Sequence, residues 1–297
     1  AQPSVEYPLN TAELDQDEQA LQQVLQSAKS QRVPTMTQLV DLIAINELLG
    51  TVESSGDGKN ANLVAQLETE SLAAKAAEFK TTNNDDTIGW IRIPNTNVDY
   101  PVVYKAGVEN YAYYESKGYD KQYSKDGVIW ADYECTFPEL SQNTTLYGHN
   151  WHNIYTPRTQ ANMQANDLMF SLVMSYNYTD FAQENPFVYF STTEQDYVFQ
   201  VFASYYTDLN FGYNYAQMSQ EDFQKVIAEA KAKSLSNYNV PVTSEDKIVT
   251  LSTCTRVHGN TNNQRFVVMA KLVPVGTPST TISTHSNPIA YNSSIDA

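Results

Sequence analysis

The chain has 297 residues and a formal net charge of −16, with 41% apolar residues, 21 Tyr, 11 Phe and 3 Trp. That length supports one large domain with an appendage, and so acidic a balance argues against nucleic acid, whose phosphates need a basic footprint. No run approaches the roughly 18 consecutive apolar residues of a membrane span, and the two cysteines allow one disulfide at most.

Residues 1–80 read as helical. Asn10 and Glu13 have the spacing of a reciprocal N-terminal cap, and Leu14, Leu21, Val24, Leu25 and Ala28 form one apolar face. A second helix is predicted over 37–49, ending at Gly50, and a third over 61–80 after the polar loop SSGDGKN. Together they predict an N-terminal helical region, 1–87, packed on a larger body. The start at Ala1 rather than Met fits removal of a leader or anchor.

From residue 88 the period becomes strand-like. GWIRIPNTNVDYPVVY is broken by Pro94 and the turn-forming Asn95–Asn97. The runs at 126–133, 143–149, 185–190, 197–206, 247–254 and 266–275 are rich in β-branched and aromatic residues and bounded by Asn, Asp, Gly and Pro. About eight such runs with few helices between them predict a mainly β fold, a closed or nearly closed barrel over 88–275. Two helical insertions are expected, over about 161–175 and just beyond, and over about 219–233, the latter opening at Ser219 with Asp222 three residues on. The Ser/Thr/Asn-rich tail, 276–297, is expected to be mobile.

Cys254 closes one β-like run and Arg265 opens the next, eleven residues on. If the two runs are neighbouring strands, about 4.8 Å apart, the arginine returns beside the thiol. A cysteine nucleophile needs a base or ion-pair partner and a donor for the oxyanion, and the permanently charged planar fork of arginine suits the second role. Among four histidines, His285 lies in the polar tail and reads as a solvated group, and His258 lies in the loop between Cys254 and Arg265. His149 ends a strand in LYGHNWHN, where Gly148 permits a tight turn, and is the best base by a small margin over His152. The pair His149-x-x-His152 is a poor zinc motif, since it falls on a strand end and a loop with no cysteine pair beside it.

Four segments together resemble one family. TLSTC at 250–254 is similar to the TLxTC signature of sortases, YGHN at 147–150 to the segment with their histidine, and QRFVVMAKL at 264–272 to the segment with their arginine. IGWIRIPNTNVDYPVV at 88–103 resembles the opening strands of the sortase barrel. The N-terminal helices, and a helix inserted before the cysteine strand, resemble class B members.

The resemblance implies a cysteine transpeptidase on the outer face of a Gram-positive plasma membrane, held by an N-terminal anchor. It implies Cys254 as nucleophile, His149 as acid and then base, and Arg265 as oxyanion holder, with no cofactor. The substrates would be surface proteins with a C-terminal sorting motif, NPxTx-like rather than LPxTG, cleaved after threonine. The acceptor would be an amine of a lipid-linked cell-wall precursor.

Ser252 shares a face with Cys254 by alternation and is expected to touch substrate; Thr253 is expected to pack inward beside it. Tyr147, sharing a face with His149, resembles an aromatic of the class B groove, and Asn110 and Tyr114 are placed along the same groove. Thr255 stands where class B relatives carry an acidic residue. Three alternatives share parts of this sequence: a hydrolytic cysteine peptidase, a pilin-polymerising sortase, and a non-catalytic surface binding module closed by a Cys135–Cys254 disulfide.

Overall fold

A computed structural model describes residues 71–273 and 282–289. The helices expected over 10–28 and 37–49 lie outside the described residues. Helix α1 (Leu72–Thr82) lies in the third expected helical region and extends slightly past it. Its N-cap, Ser71, accepts from the Ala74 N–H and donates to Asp196 Oδ2 at 2.6 Å, while Asp196 Oδ1 accepts from the Ala73 N–H at 2.8 Å. A carboxylate at a helix N-terminus satisfies unpaired N–H groups and complements the helix dipole. Leu72 and Ala76 pack on Trp90.

The strands are β1 (Thr87–Arg92), β2 (Asp99–Val103), β3 (Ile129–Ala131), β4 (Asn143–Tyr147), β5 (Phe187–Thr192), β6 (Val198–Asp208), β7 (Ser236–Tyr238), β8 (Ile248–Cys254), β9 (Gln264–Leu272) and β10 (Ile282–Thr284). Eight of them close a barrel in the order β1-β2-β3-β4-β8-β9-β6-β5, with β2–β3 and β4–β8 parallel and the other pairs antiparallel. Every predicted strand run supplies a strand. Leu146, Phe190, Val201, Leu251, Phe266 and Val268 are among the fully buried residues of the core. All of β6 is buried, because α3 (Gln220–Lys233) packs beside it with Phe223, Ile227 and Ala230 turned inward. Ser219 caps α3 by accepting from the Asp222 N–H at 3.1 Å, as its spacing predicted.

Two expectations are corrected. The segment 161–175 is not an α-helix: it holds 3-10 turns at Gln160–Asn162 and Ser171–Asn177, followed by a short α2 (Thr179–Glu184). Side chains capture its backbone instead. Asn162 accepts from the Thr159 N–H, and Asp167 accepts from the Gln164 N–H while the buried carboxylate pairs with Arg158 at 2.7 Å. Met169 then takes a positive φ of 53°. The second correction concerns the tail. Residues 282–284 form β10, paired antiparallel with β7, and His285 is tied to the Ser234 carbonyl at 2.8 Å rather than solvated. The Ile289 N–H donates to the Ala232 carbonyl at 2.8 Å, so 282–289 is anchored at the C-terminal end of α3.

Candidate active site

Strand register assembles the site. In the antiparallel β8–β9 ladder Cys254 stands directly opposite Arg265, and Ser252 opposite Val267. In the parallel β4–β8 ladder Tyr147 is level with Ser252. Residues opposite one another, and residues two apart, share a face. His149, two beyond Tyr147, therefore arrives level with Cys254, two beyond Ser252. The ladder carries on past the end of β4, since the Gly148 N–H donates to the Ser252 carbonyl at 3.4 Å. Only glycine fits there: a Cβ would lie 2.5 Å from Ile129 Cδ1 and 2.6 Å from Phe170 Cγ.

The turn after β4 is tied to the cysteine strand by two side chains. The buried Thr253 hydroxyl donates to the Gly148 carbonyl at 2.8 Å. Asn150, also buried, donates to the Cys254 carbonyl at 3.3 Å. Cys254 itself is half-buried and its thiol is free. Arg265 Nη1 donates to the carbonyls of Asn262 and Gln264, each at 2.9 Å. Its Nε and Nη2 have no hydrogen-bond partner among the described residues, which leaves donors for an incoming carbonyl.

His149 is half-buried between Trp130 and Trp151, with ring centroids 5.7 and 4.9 Å away, and its Nε2 lies 2.5 Å from the Glu115 main-chain carbonyl. The Tyr147 hydroxyl donates to Asp132 at 2.6 Å and accepts from Asn214 at 3.0 Å. Burial, then the Asp132 charge, pushes this phenol far above its ordinary range, so it stays neutral. Ser252 is 1% exposed, and its hydroxyl meets that of Tyr213 at 2.9 Å.

The other candidates stand elsewhere. Tyr114 is 1% exposed, packed with Val103 and Val128, and its hydroxyl donates to Asp86 at 2.5 Å; this burial leaves it no face toward a groove. Asn110 closes a 3-10 turn and donates to the Ala106 carbonyl at 2.7 Å, a local role. His152 is exposed on the turn after His149. His258 meets the Tyr206 ring edge-on at 4.7 Å, and burial lowers its pKa. Cys135 is free and buried, its thiol pushed up to about 12 by burial, so the disulfide of the binding-module alternative is absent. Among the described residues no group of three or more His, Cys, Asp or Glu gathers as metal ligands.

Several contributors lay outside the sequence reading, among them the Glu115 carbonyl, Asn150 on the Cys254 carbonyl, Asp132 and Asn214 on Tyr147, and Tyr213 on Ser252. The carbonyl has no sequence signal. The others are single polar residues in loops, and nothing in a linear pattern distinguishes them from solvated neighbours.

Residues 91–273 match the family model described as the sortase domain. The chain belongs to the sortase family. It is 30% identical over 193 residues to sortase B of Staphylococcus aureus, covering 65% of this chain and 72% of that protein. Sortase B of Listeria monocytogenes is 29% identical over 191 residues, 64% of this chain and 71% of that one. Among solved structures, a Staphylococcus aureus sortase B–substrate complex superposes with a TM-score of 0.57 at 26% identity, covering 72% of this chain and 91% of that one. Sortase B from Listeria monocytogenes gives 0.53 at 28% identity over 66% of this chain and 100% of that one. The protein is thus a class B sortase, a cysteine transpeptidase.

Proposed function

We propose that this sortase cleaves an NPxTx-like sorting motif after threonine, through a Cys254 thioacyl enzyme, and passes the acyl group to an amine of a cell-wall precursor at the outer surface of a Gram-positive bacterium. The observation that carries the residue roles is the final rung of the β8–β9 ladder, Cys254 opposite Arg265, with His149 level beside it. The Cys254 thiolate attacks the threonine carbonyl, and the developing oxyanion falls to Arg265, whose charge is fixed at any working pH. Protonated His149 gives its proton to the departing nitrogen as the C–N bond breaks. The acceptor amine then attacks the thioester, loses a proton to His149, and the sulfur departs.

The acceptor assignment draws support from a sortase B solved in complex with triglycine, whose amine has the right chemistry. Tyr147 shapes the wall beside the thiol with its hydroxyl already committed to Asp132, so its contribution to substrate is steric and apolar rather than a donated hydrogen bond. Ser252, expected to touch substrate, is 1% exposed and instead supports that wall from within through Tyr213. Thr253 acts through the turn that presents His149.

Intact-protein mass spectrometry with NPxTx and LPxTG peptides, with and without triglycine, tests the reading. An adduct on wild type but not on Cys254→Ala, chased to a triglycine-linked product, is expected. Release only as free acid with amine present would make the protein a hydrolase instead.

A further inference from the structure

The connection between β2 and β3, residues 104–128, grips the histidine segment at three points. The Glu115 carbonyl lies 2.5 Å from His149 Nε2, and the Lys125 carbonyl accepts from the Trp151 indole at 3.0 Å. The third point is Gly127, buried with φ +61°. A Cβ there would lie 2.8 Å from His149 Cδ2, 3.2 Å from His149 Nε2 and 3.1 Å from the Glu115 carbonyl oxygen. Trp130 and Trp151 flank the same ring, so a push from Gly127 displaces it against aromatic neighbours and from its place on the Glu115 carbonyl.

A carbonyl oxygen can only accept, so Nε2 carries hydrogen. In the neutral ring the lone pair must then sit on Nδ1. We infer that Gly127 is a positioning residue for transpeptidation: with the Glu115 carbonyl it clamps His149 so that Nε2–H stays bound and Nδ1 alone exchanges protons with the substrate amines. This rests on the role given to His149 above. In acylation the imidazolium Nδ1–H proton goes to the leaving nitrogen as the C–N bond breaks, and the ring is left neutral with its hydrogen on Nε2. In deacylation the Nδ1 lone pair takes a proton from the attacking amine, the new C–N bond forms, the C–S bond breaks, and thiolate and imidazolium are restored. The clamp is unchanged through both halves. Glycine is required at 127 for two reasons that coincide: the left-handed backbone and the ring pressed against its Cα.

The test compares Gly127→Ala with Gly107→Ala in the full chain. Gly107 lies on the same connection with φ +97°, but its added methyl would meet the carboxylate of exposed Glu109, which can swing away. It therefore reports left-handed strain without pressure on the ring. Gly127→Ala is expected to lose about a hundred-fold in kcat with KM little changed, as for a displaced catalytic group. Gly107→Ala is expected to keep turnover within about two-fold of wild type. Nitrogen-15 NMR of the wild-type ring, which needs no variant to fold, is expected to show the neutral form protonated on Nε2. A neutral ring protonated on Nδ1, or a folded Gly127→Ala with wild-type kcat, overturns the clamp. A His149→Ala variant with wild-type turnover would instead overturn the role of His149 and the clamp with it; an inactive His149→Ala beside an active Gly127→Ala removes the clamp alone.

Discussion

Asn143, fully buried at the start of β4, offers the sharpest test of how the wall of the site is held. Its Nδ2 donates to the Tyr213 carbonyl at 2.7 Å and the Tyr215 carbonyl at 3.2 Å, and its Oδ1 accepts from the buried Thr250 hydroxyl at 2.7 Å. The loop it holds carries Tyr213 to Ser252 and Asn214 to Tyr147. Asn143→Ala breaks all three bonds. The bond to Tyr215 is the longer and only part-buried one, and is discounted. The other two losses leave a buried acceptor and a buried hydroxyl unpaired, at about 1–3 kcal/mol each, or about 3 kcal/mol together. At about 3 °C per kcal/mol for a domain of this size, the unfolding midpoint should fall by about 9 °C. Near-UV circular dichroism on heating reads this directly. Asn143→Asp has the same shape but sets a charged acceptor against the Tyr213 carbonyl, so it should destabilise at least as much at neutral pH. A fall below about 3 °C for Asn143→Ala would refute the accounting, and a silent Asn143→Asp would show that shape, not hydrogen bonding, is what the site needs.

Arg265→Lys keeps the charge but loses the planar fork, and should cost about a hundred-fold in kcat/KM while the Cys254 thiol still labels with a small alkylating reagent; undiminished turnover would remove the oxyanion role. Cys135, with its thiol raised from 9.0 to about 12 by burial, holds its proton more tightly folded than unfolded. It therefore contributes stability that is complete below the unfolded value and lost as pH rises toward about 12. Urea unfolding across that alkaline window should show a slope that flattens in Cys135→Ala, and an unchanged slope would contradict the burial. Native protein near neutral pH should accordingly give one reactive thiol per chain, that of Cys254, by mass spectrometry after alkylation. Ser219→Ala removes the cap on α3 and should lower stability by about 1 kcal/mol in denaturant melts, with little effect on KM.

The sequence alone determined the elements whose signal is local. Alternating β-branched and aromatic runs marked each predicted barrel strand because side chains on a strand report their environment every second residue. Ser219 announced the start of α3 because a cap is a local hydrogen bond. Cys254 and Arg265 could be paired from the sequence because an antiparallel return brings the ends of two consecutive strands together. The segment 161–175 misled for a physical reason: its apolar residues have a helical spacing, but Asn162, Asp167 and Arg158 hold the chain through contacts that a period does not register. The anchoring of 282–289 was hidden because β10 is three residues long and draws its partners from α2 and β7 far back in the chain.

What only the tertiary structure decided is which atoms face one another across the barrel. His149 and His152 were nearly equal candidates by sequence; the register of Tyr147 with Ser252 in the β4–β8 ladder brings His149 level with Cys254, and His152 stands exposed on the turn beyond. Tyr114 and Glu115 are neighbours in the chain, yet the first is sealed into a small core and the second reaches the His149 ring with its backbone. A carbonyl carries no residue identity, and a glycine shows its use only when the group pressed against it is known.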